Sequence, residues 1–83
     1  MAIVADHRQL VVWQKAVELS LHAYRLTHDF PREERYGLSS QLRRAAVSVA
    51  CNIAEGNGRR YRREYINYLS IARGSLREVD TLL

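Results

Sequence analysis

The stretch Gln41-Leu42-Arg43-Arg44-Ala45-Ala46-Val47-Ser48-Val49-Ala50-Cys51-Asn52-Ile53-Ala54-Glu55-Gly56-Asn57-Gly58 decides the fold. Leu38, Leu42, Val49 and Ile53 recur at steps of four, seven and four, which places them on one face of an α-helix. The neighbouring positions Ala45, Ala46, Ser48, Ala50, Cys51 and Ala54 are small, so other helices can approach from more than one side. A helix that is apolar or small almost all round is a buried one. The stretch therefore predicts a central helix over about 39–56, with the rest of the chain packed around it.

One polar line crosses that helix: Gln41, Arg44, Ser48, Asn52 and Glu55, again at spacings of three and four. In a buried setting each of these groups needs a partner, since an unpaired buried polar group costs about 1–3 kcal/mol. The line reads as a structural polar network that fixes the register of neighbouring helices, in preference to a chemical site around Asn52 and Glu55.

Working outward, Asp6 and Gln9 have the spacing of a capping box, so a first helix is expected over about 7–28. Val12, Ala16, Leu19, Ala23 and Leu26 form one apolar stripe along it. Trp13, Val17, Leu21 and Tyr24 form a second, serving either the core or a subunit interface. Pro31 disfavours helix at the residue before it. It suits the start of a short helical turn, with Glu33 and Glu34 at the positive end. Gly37 is expected to end that turn in the left-handed conformation, and Ser39 or Ser40 to cap the central helix. Gly56-Asn57-Gly58 reads as a helix stop. A third helix is predicted over about 61–83, where Tyr65, Leu69, Ala72, Leu76, Val79 and Leu83 fall at steps of four, three, four, three and four. Gly74 lies inside that pattern, and close packing is expected to offset the roughly 1 kcal/mol that a mid-helix glycine costs. The apolar stripe is still running at Leu83, so a further helix or a neighbouring subunit is expected to cover it.

The fold class is thus all-α: an antiparallel up-down helical bundle in one domain, residues 1–83, with no strand alternation or internal repeat. Eighty-three residues bury only about 60–65% of the unfolded surface, a marginal size at which oligomerisation commonly supplies stability. A single cysteine, Cys51, excludes an internal disulfide. Its setting among small residues reads as a buried filler, and the chain as cytoplasmic. Ala2-Ile3-Val4-Ala5 is too short for a signal segment, and no apolar run approaches the ~20 residues that span a bilayer.

Net charge is +4 with a sequence pI near 9.7, unevenly spread. The first 37 residues are balanced. The remainder carries eight arginines against Glu55, Glu64, Glu78 and Asp80. Arginine in place of lysine favours planar, bidentate contacts to phosphate or carboxylate. The densest cluster is Arg59-Arg60-Tyr61-Arg62-Arg63, followed by Tyr65 and Tyr68. Arginines give affinity for phosphates without sequence preference, and tyrosine faces stack on unpaired bases. Arg62 and Arg63 fall where the helix dipole disfavours cations, which a purely stabilising role does not explain. The cluster reads as a nucleic-acid-binding surface of Arg59, Arg60, Arg62 and Arg63, extended by Arg43, Arg73 and Arg77. A solvated turn is the alternative. No metal or cofactor is expected, because His22 and His28 do not share a helix face with metal spacing. No histidine stands at a readable distance from a serine, threonine or cysteine nucleophile, so an enzyme is not expected.

Leu10-Val11-Val12-Trp13-Gln14-Lys15-Ala16, Phe30-Pro31-Arg32-Glu33-Glu34, Tyr36-Gly37-Leu38, Gln41-Leu42-Arg43-Arg44-Ala45, Asn52-Ile53-Ala54-Glu55-Gly56 and Ala72-Arg73-Gly74-Ser75-Leu76 come in this order. Six such motifs in register resemble the bacterial four-helix-bundle family of 23S rRNA-intervening-sequence proteins. The resemblance implies a bundle that assembles as a homo-oligomer, a ring-like pentamer, without enzyme activity. A related family member is the basic accessory protein of diversity-generating retroelements. That relation implies RNA or DNA, or a protein such as a reverse transcriptase, as partner. The sequence departs from the family by ending with its third helix.

Overall fold

The computed structural model describes residues 6–34 and 36–83. Residues 2–5, which the sequence reading took as no targeting segment, and Arg35 of the first connection lie outside the described residues. Three helices follow in order: α1 (Val11–His28), α2 (Leu38–Asn57) and α3 (Arg62–Leu82). Single 3-10 turns at His7–Gln9 and Arg32–Glu34 precede α1 and α2.

The first helix starts four residues later than its capping box predicts. Asp6 does cap, accepting the Arg8 backbone N–H at 3.0 Å, but it caps the 3-10 turn. Leu10 is extended (φ −77°, ψ 125°), and only then does α1 begin. The Arg8 N–H is also the main reason the Asp6 carboxyl is held below the usual aspartate range.

The order of contacts gives the topology. Ala16, early in α1, clusters with Val49, Ala50 and Ile53 late in α2 and with Ala72 of α3. Ala23, late in α1, clusters with Leu42, Ala45 and Ala46 early in α2 and with Val79 of α3. Both neighbours of α2 therefore run antiparallel to it, in an up-down bundle. Among the described residues no Cα of α1 comes within 8 Å of one of α3; the two helices share a cleft over α2, lined by Leu19, His22, Ala23 and Leu26 on one side and Val79 and Leu83 on the other.

The resulting rod measures 48 × 20 × 16 Å, too thin to enclose large side chains. Among the described residues six of the ten buried apolar side chains are alanines, and the largest ones buried almost completely are Leu42 and Ile53, at 1% and 2% exposure. Alanine contributes little transfer free energy per residue, since burial scales at about 25 cal/mol per Å². Its use here permits close helix approach and leaves the larger apolar groups at the edges. The predicted seam of α3 divides accordingly. Ala72 and Val79 are buried and Tyr65 is half-buried, while Leu69, Leu76 and Leu83 are exposed. In α1, Val12, Leu21, Tyr24 and Leu26 are exposed in the same way, whereas Trp13 packs against the core cluster with its ring edge-on to His7, centroids 4.9 Å apart.

Several expectations for α2 are corrected. One broad face is buried, not the whole circumference, and Cys51 is exposed with Arg44, Val47 and Glu55. The reason is that two neighbours cover only two sides. Neither Ser39 nor Ser40 caps α2: the N-cap is Gly37, which offers no side chain. Gly37 has φ −101°, not a left-handed value. At the other end Gly56 and Asn57 are still helical, and Gly58 is the C-cap. The close approach expected at Gly74 occurs at Gly56 instead. A Cβ on Gly56 would stand 2.7 Å from Tyr68 Cβ and 3.0 Å from Tyr65 Cδ1, while one on Gly74 would meet nothing within 4 Å.

Candidate nucleic-acid interface

The turn between α2 and α3 is built by backbone geometry that leaves its arginines outward. The Gly58 N–H donates to the Ala54 carbonyl and the Arg59 N–H to the Gly56 carbonyl, ending α2. The Tyr61 carbonyl then accepts from the N–H groups of Glu64 and Tyr65, starting α3. Four arginines thus occupy one tight corner, and their roles differ.

Arg59 is tied inward. Its Nη2 lies 2.7 Å from Glu55 Oε1 and donates to Tyr68 Oη at 2.6 Å, with the guanidinium 4.9 Å over the Tyr68 ring. The Tyr68 hydrogen bond, followed by the electrostatic contribution of that residue, raises its pKa above the ordinary arginine value. It fastens α3 to the end of α2. Arg60, Arg62 and Arg63 are exposed, and Arg60 lies 5.6 Å over the exposed ring of Tyr61. That stacked pair presents a cation and an aromatic face at one point, the combination that binds an unpaired base beside its phosphate. Tyr65 and Tyr68 are half-buried against Gly56, so they serve packing.

Arg73 and Arg77 are exposed on α3. Arg62 and Arg73 are separated by about three helical turns, and Arg63 and Arg77 by about four, so each pair lies along one line of the helix. They extend the corner into a basic row. Arg43 does not belong to it. It stands about 24 Å from Arg59 along the α2 axis at 1.5 Å per residue. Its Nε donates to Thr27 Oγ1 at 2.6 Å, and its guanidinium lies 4.6 Å over Tyr24.

The polar line of α2 is likewise divided. Ser48 and Asn52 are half-buried and connected: Asn52 Nδ2 donates to the Ser48 carbonyl at 2.8 Å and to Ser48 Oγ at 3.0 Å. Ser48 Oγ in turn stands 2.9 Å from Ser75 Oγ of α3, which fixes the α2–α3 register. Gln41, Arg44 and Glu55 are exposed and outside that network. Arg44 reaches Ser40 at 3.4 Å, and Glu55 pairs with Arg59.

Among the described residues no group of histidine, cysteine, aspartate and glutamate is placed to hold a metal ion, and no helix is long and apolar enough to cross a membrane. The sequence reading missed one grouping: Ser39 and His28 line a cavity with Arg43 at the start of α2. Its sequence signal is a helix start, Leu38-Ser39-Ser40-Gln41, with no acidic residue in the first turn.

The family model described as 23S rRNA-intervening sequence protein matches residues 8–83. No curated protein matches the chain at a significant level.

Proposed function

The chain belongs to the family of 23S rRNA-intervening sequence proteins, and from that premise we propose that it is a non-catalytic helical bundle that binds RNA or DNA electrostatically. Arg60, Arg62 and Arg63 make the primary contact, Tyr61 offers a stacking face, and Arg73 and Arg77 continue the phosphate track along α3. The observation that carries this reading is the division of labour at the α2–α3 corner. All four arginines are exposed, but Arg59 is bonded to Glu55 and Tyr68, while two of the others stand at a helix start where the dipole penalises cations by about 0.3–1 kcal/mol. Natural binding of this kind carries little sequence readout, because phosphate contacts position a protein without distinguishing bases.

The test is fluorescence anisotropy of a labelled single strand and a labelled duplex across a salt series. Replacing Arg60, Arg62 and Arg63 by glutamine is expected to lower the slope of log K against log salt by about 2, since each neutralised phosphate contributes about 0.7–0.9. An unchanged slope would remove these residues from the interface.

A second reading, a homo-oligomeric scaffold with a protein partner, is favoured by one feature. Leu69 and Leu76 on α3, Leu83 just after it, and Val12 and Leu26 on α1 are exposed apolar groups, and Leu26 and Leu83 line one cleft between the two helices. It calls for a stable oligomer by light scattering, in the pentameric state of the family resemblance or another, and for weak nucleic-acid binding that vanishes below physiological salt.

A further inference from the structure

The connection between α1 and α2 delivers Tyr36 with its ring in water, at 89% exposure. An aromatic ring stabilises a fold through the area that it buries, so this one contributes almost nothing to the bundle. Tyr24 of α1 is also exposed. On α2, Ser40, Arg43, Arg44 and Val47 recur at steps of three, one and three, which puts them on one side of the helix. These six residues line a single cleft of about 410 Å³, and no acidic residue lines it with them.

The two arginines of the cleft are not spent on carboxylates. Arg43 is held by one edge: its Nε donates to Thr27 Oγ1 at 2.6 Å, and the Thr27 hydroxyl donates onward to the Ala23 carbonyl at 2.7 Å. Its guanidinium lies 4.6 Å over the Tyr24 ring. Arg44 is exposed, and its one hydrogen bond, to Ser40 Oγ, is long at 3.4 Å. Neither arginine forms an ion pair among the described residues. Glu78 lines a neighbouring hollow with Arg44 and does not pair with it.

An oriented guanidinium on an aromatic ring, a second guanidinium beside it and an open tyrosine face suit a ligand that is planar at one end and anionic at the other. An unpaired base with its phosphate has that form. A protein carboxylate would satisfy the arginines and leave Tyr36 unused. A duplex offers phosphates, but its bases are stacked on one another and closed to the ring. We infer that the cleft holds one nucleotide of a single strand, its base stacked on Tyr36 and its phosphate held by Arg43 and Arg44. The site rests on the nucleic-acid reading of the arginine corner and deepens it, because it makes a single strand the favoured ligand over a duplex. Arg44 stands about 22 Å from Arg59 along α2, at 1.5 Å per residue, so corner and cleft are separate contacts that are removed one at a time.

The test compares fluorescence anisotropy of an unstructured single strand and of a blunt duplex with the parent and its variants. Tyr36→Ala is expected to weaken strand binding about fivefold or more, the low end of what one base stacked on an aromatic ring contributes. Duplex binding should not change. Tyr36→Phe keeps the ring and should keep the parent's strand affinity. Arg44→Gln should lower the single-strand slope of log K against log salt by about 0.7, the share of one phosphate. Both residues are exposed, so these variants fold; Arg43 stays in place because it ties α2 to Thr27. The ring-proton NMR signals of Tyr24 and Tyr36 should shift with the strand and not with the duplex. Replacing Arg60, Arg62 and Arg63 should weaken strand and duplex alike and leave those ring shifts in place, which keeps failure of the corner distinct from failure of the cleft. Strand binding unchanged in Tyr36→Ala, or an equal loss for strand and duplex, overturns the cleft and leaves the corner standing. If neither probe binds the parent, the nucleic-acid reading and the cleft fall together.

Discussion

At the C-terminal end of α2, Gly56 lies under Tyr65 and Tyr68, and Arg59 is bonded to both Glu55 and Tyr68. At its N-terminal end, Gly37 leaves the helix uncapped, Ser39 Oγ is buried without a partner, and Arg43 is held by one edge. Both ends combine glycine, arginine and tyrosine. One is closed by two tyrosines packed over a glycine; the other leaves a buried hydroxyl unpaired among the described residues. Composition alone does not separate the arginine that fastens α3 to α2 from the one that fastens α1 to it. What separates them is whether each donor already has its acceptor.

The sharpest way to break this comparison is Gly56→Ala. The new Cβ would stand 2.7 Å from Tyr68 Cβ and 3.3 Å from the Tyr65 carbonyl oxygen, atoms next to or in the backbone of α3. Neither can swing aside, so α3 itself must shift. Overpacking of this kind costs about 3 kcal/mol, read in a urea unfolding curve. In a domain of this size each kcal/mol moves Tm by about 4–8 °C. A loss under about 1 kcal/mol would mean that the seam is looser than the closed end requires.

The open end predicts the opposite sign. Ser39→Ala removes a buried hydroxyl that has no partner, so it should raise stability by about 1 kcal/mol. A Ser39→Ala variant less stable than the parent would show that the hydroxyl has a protein partner after all.

Much of this was legible in the sequence, and the misses share a cause. The helical periods of Leu42, Val49 and Ile53 and of Tyr65, Ala72 and Val79 report directly on burial, and with them the all-α bundle is readable. A glycine is ambiguous by the same standard. Gly56 and Gly74 both sit in helical patterns, and only the position of Tyr68 decides which one is crowded. Cys51 was read as buried because its neighbours are small, yet two flanking helices cannot cover the whole of α2. At the arginine corner the cluster itself was plain, while the inward bonding of Arg59 depended on Tyr68, nine residues away on another helix. Ser39 reads as a cap because serine before an apolar run commonly is one. Its actual place, one residue inside the helix, turns on where the chain leaves Gly37.

Gly74 supplies the smallest effect and the control for the first. It is exposed in the interior of α3, and a Cβ there would meet nothing within 4 Å. Alanine at an open helical position relieves the backbone entropy cost of glycine, so Gly74→Ala should gain about 0.5–1 kcal/mol in the same urea experiment. The pair of glycine variants then gives opposite signs from identical chemistry, one added methyl group, and the difference measures packing alone. At 100° per residue Gly74 lies on the other side of α3 from Leu69, Leu76 and Leu83, so the outcome reports on the outer face of the helix and not on that ridge. A gain that is independent of protein concentration means this part of α3 faces water in solution. A loss that grows with concentration means a second chain packs closely against Gly74, which would place the interface of the scaffold reading on the outer side of α3.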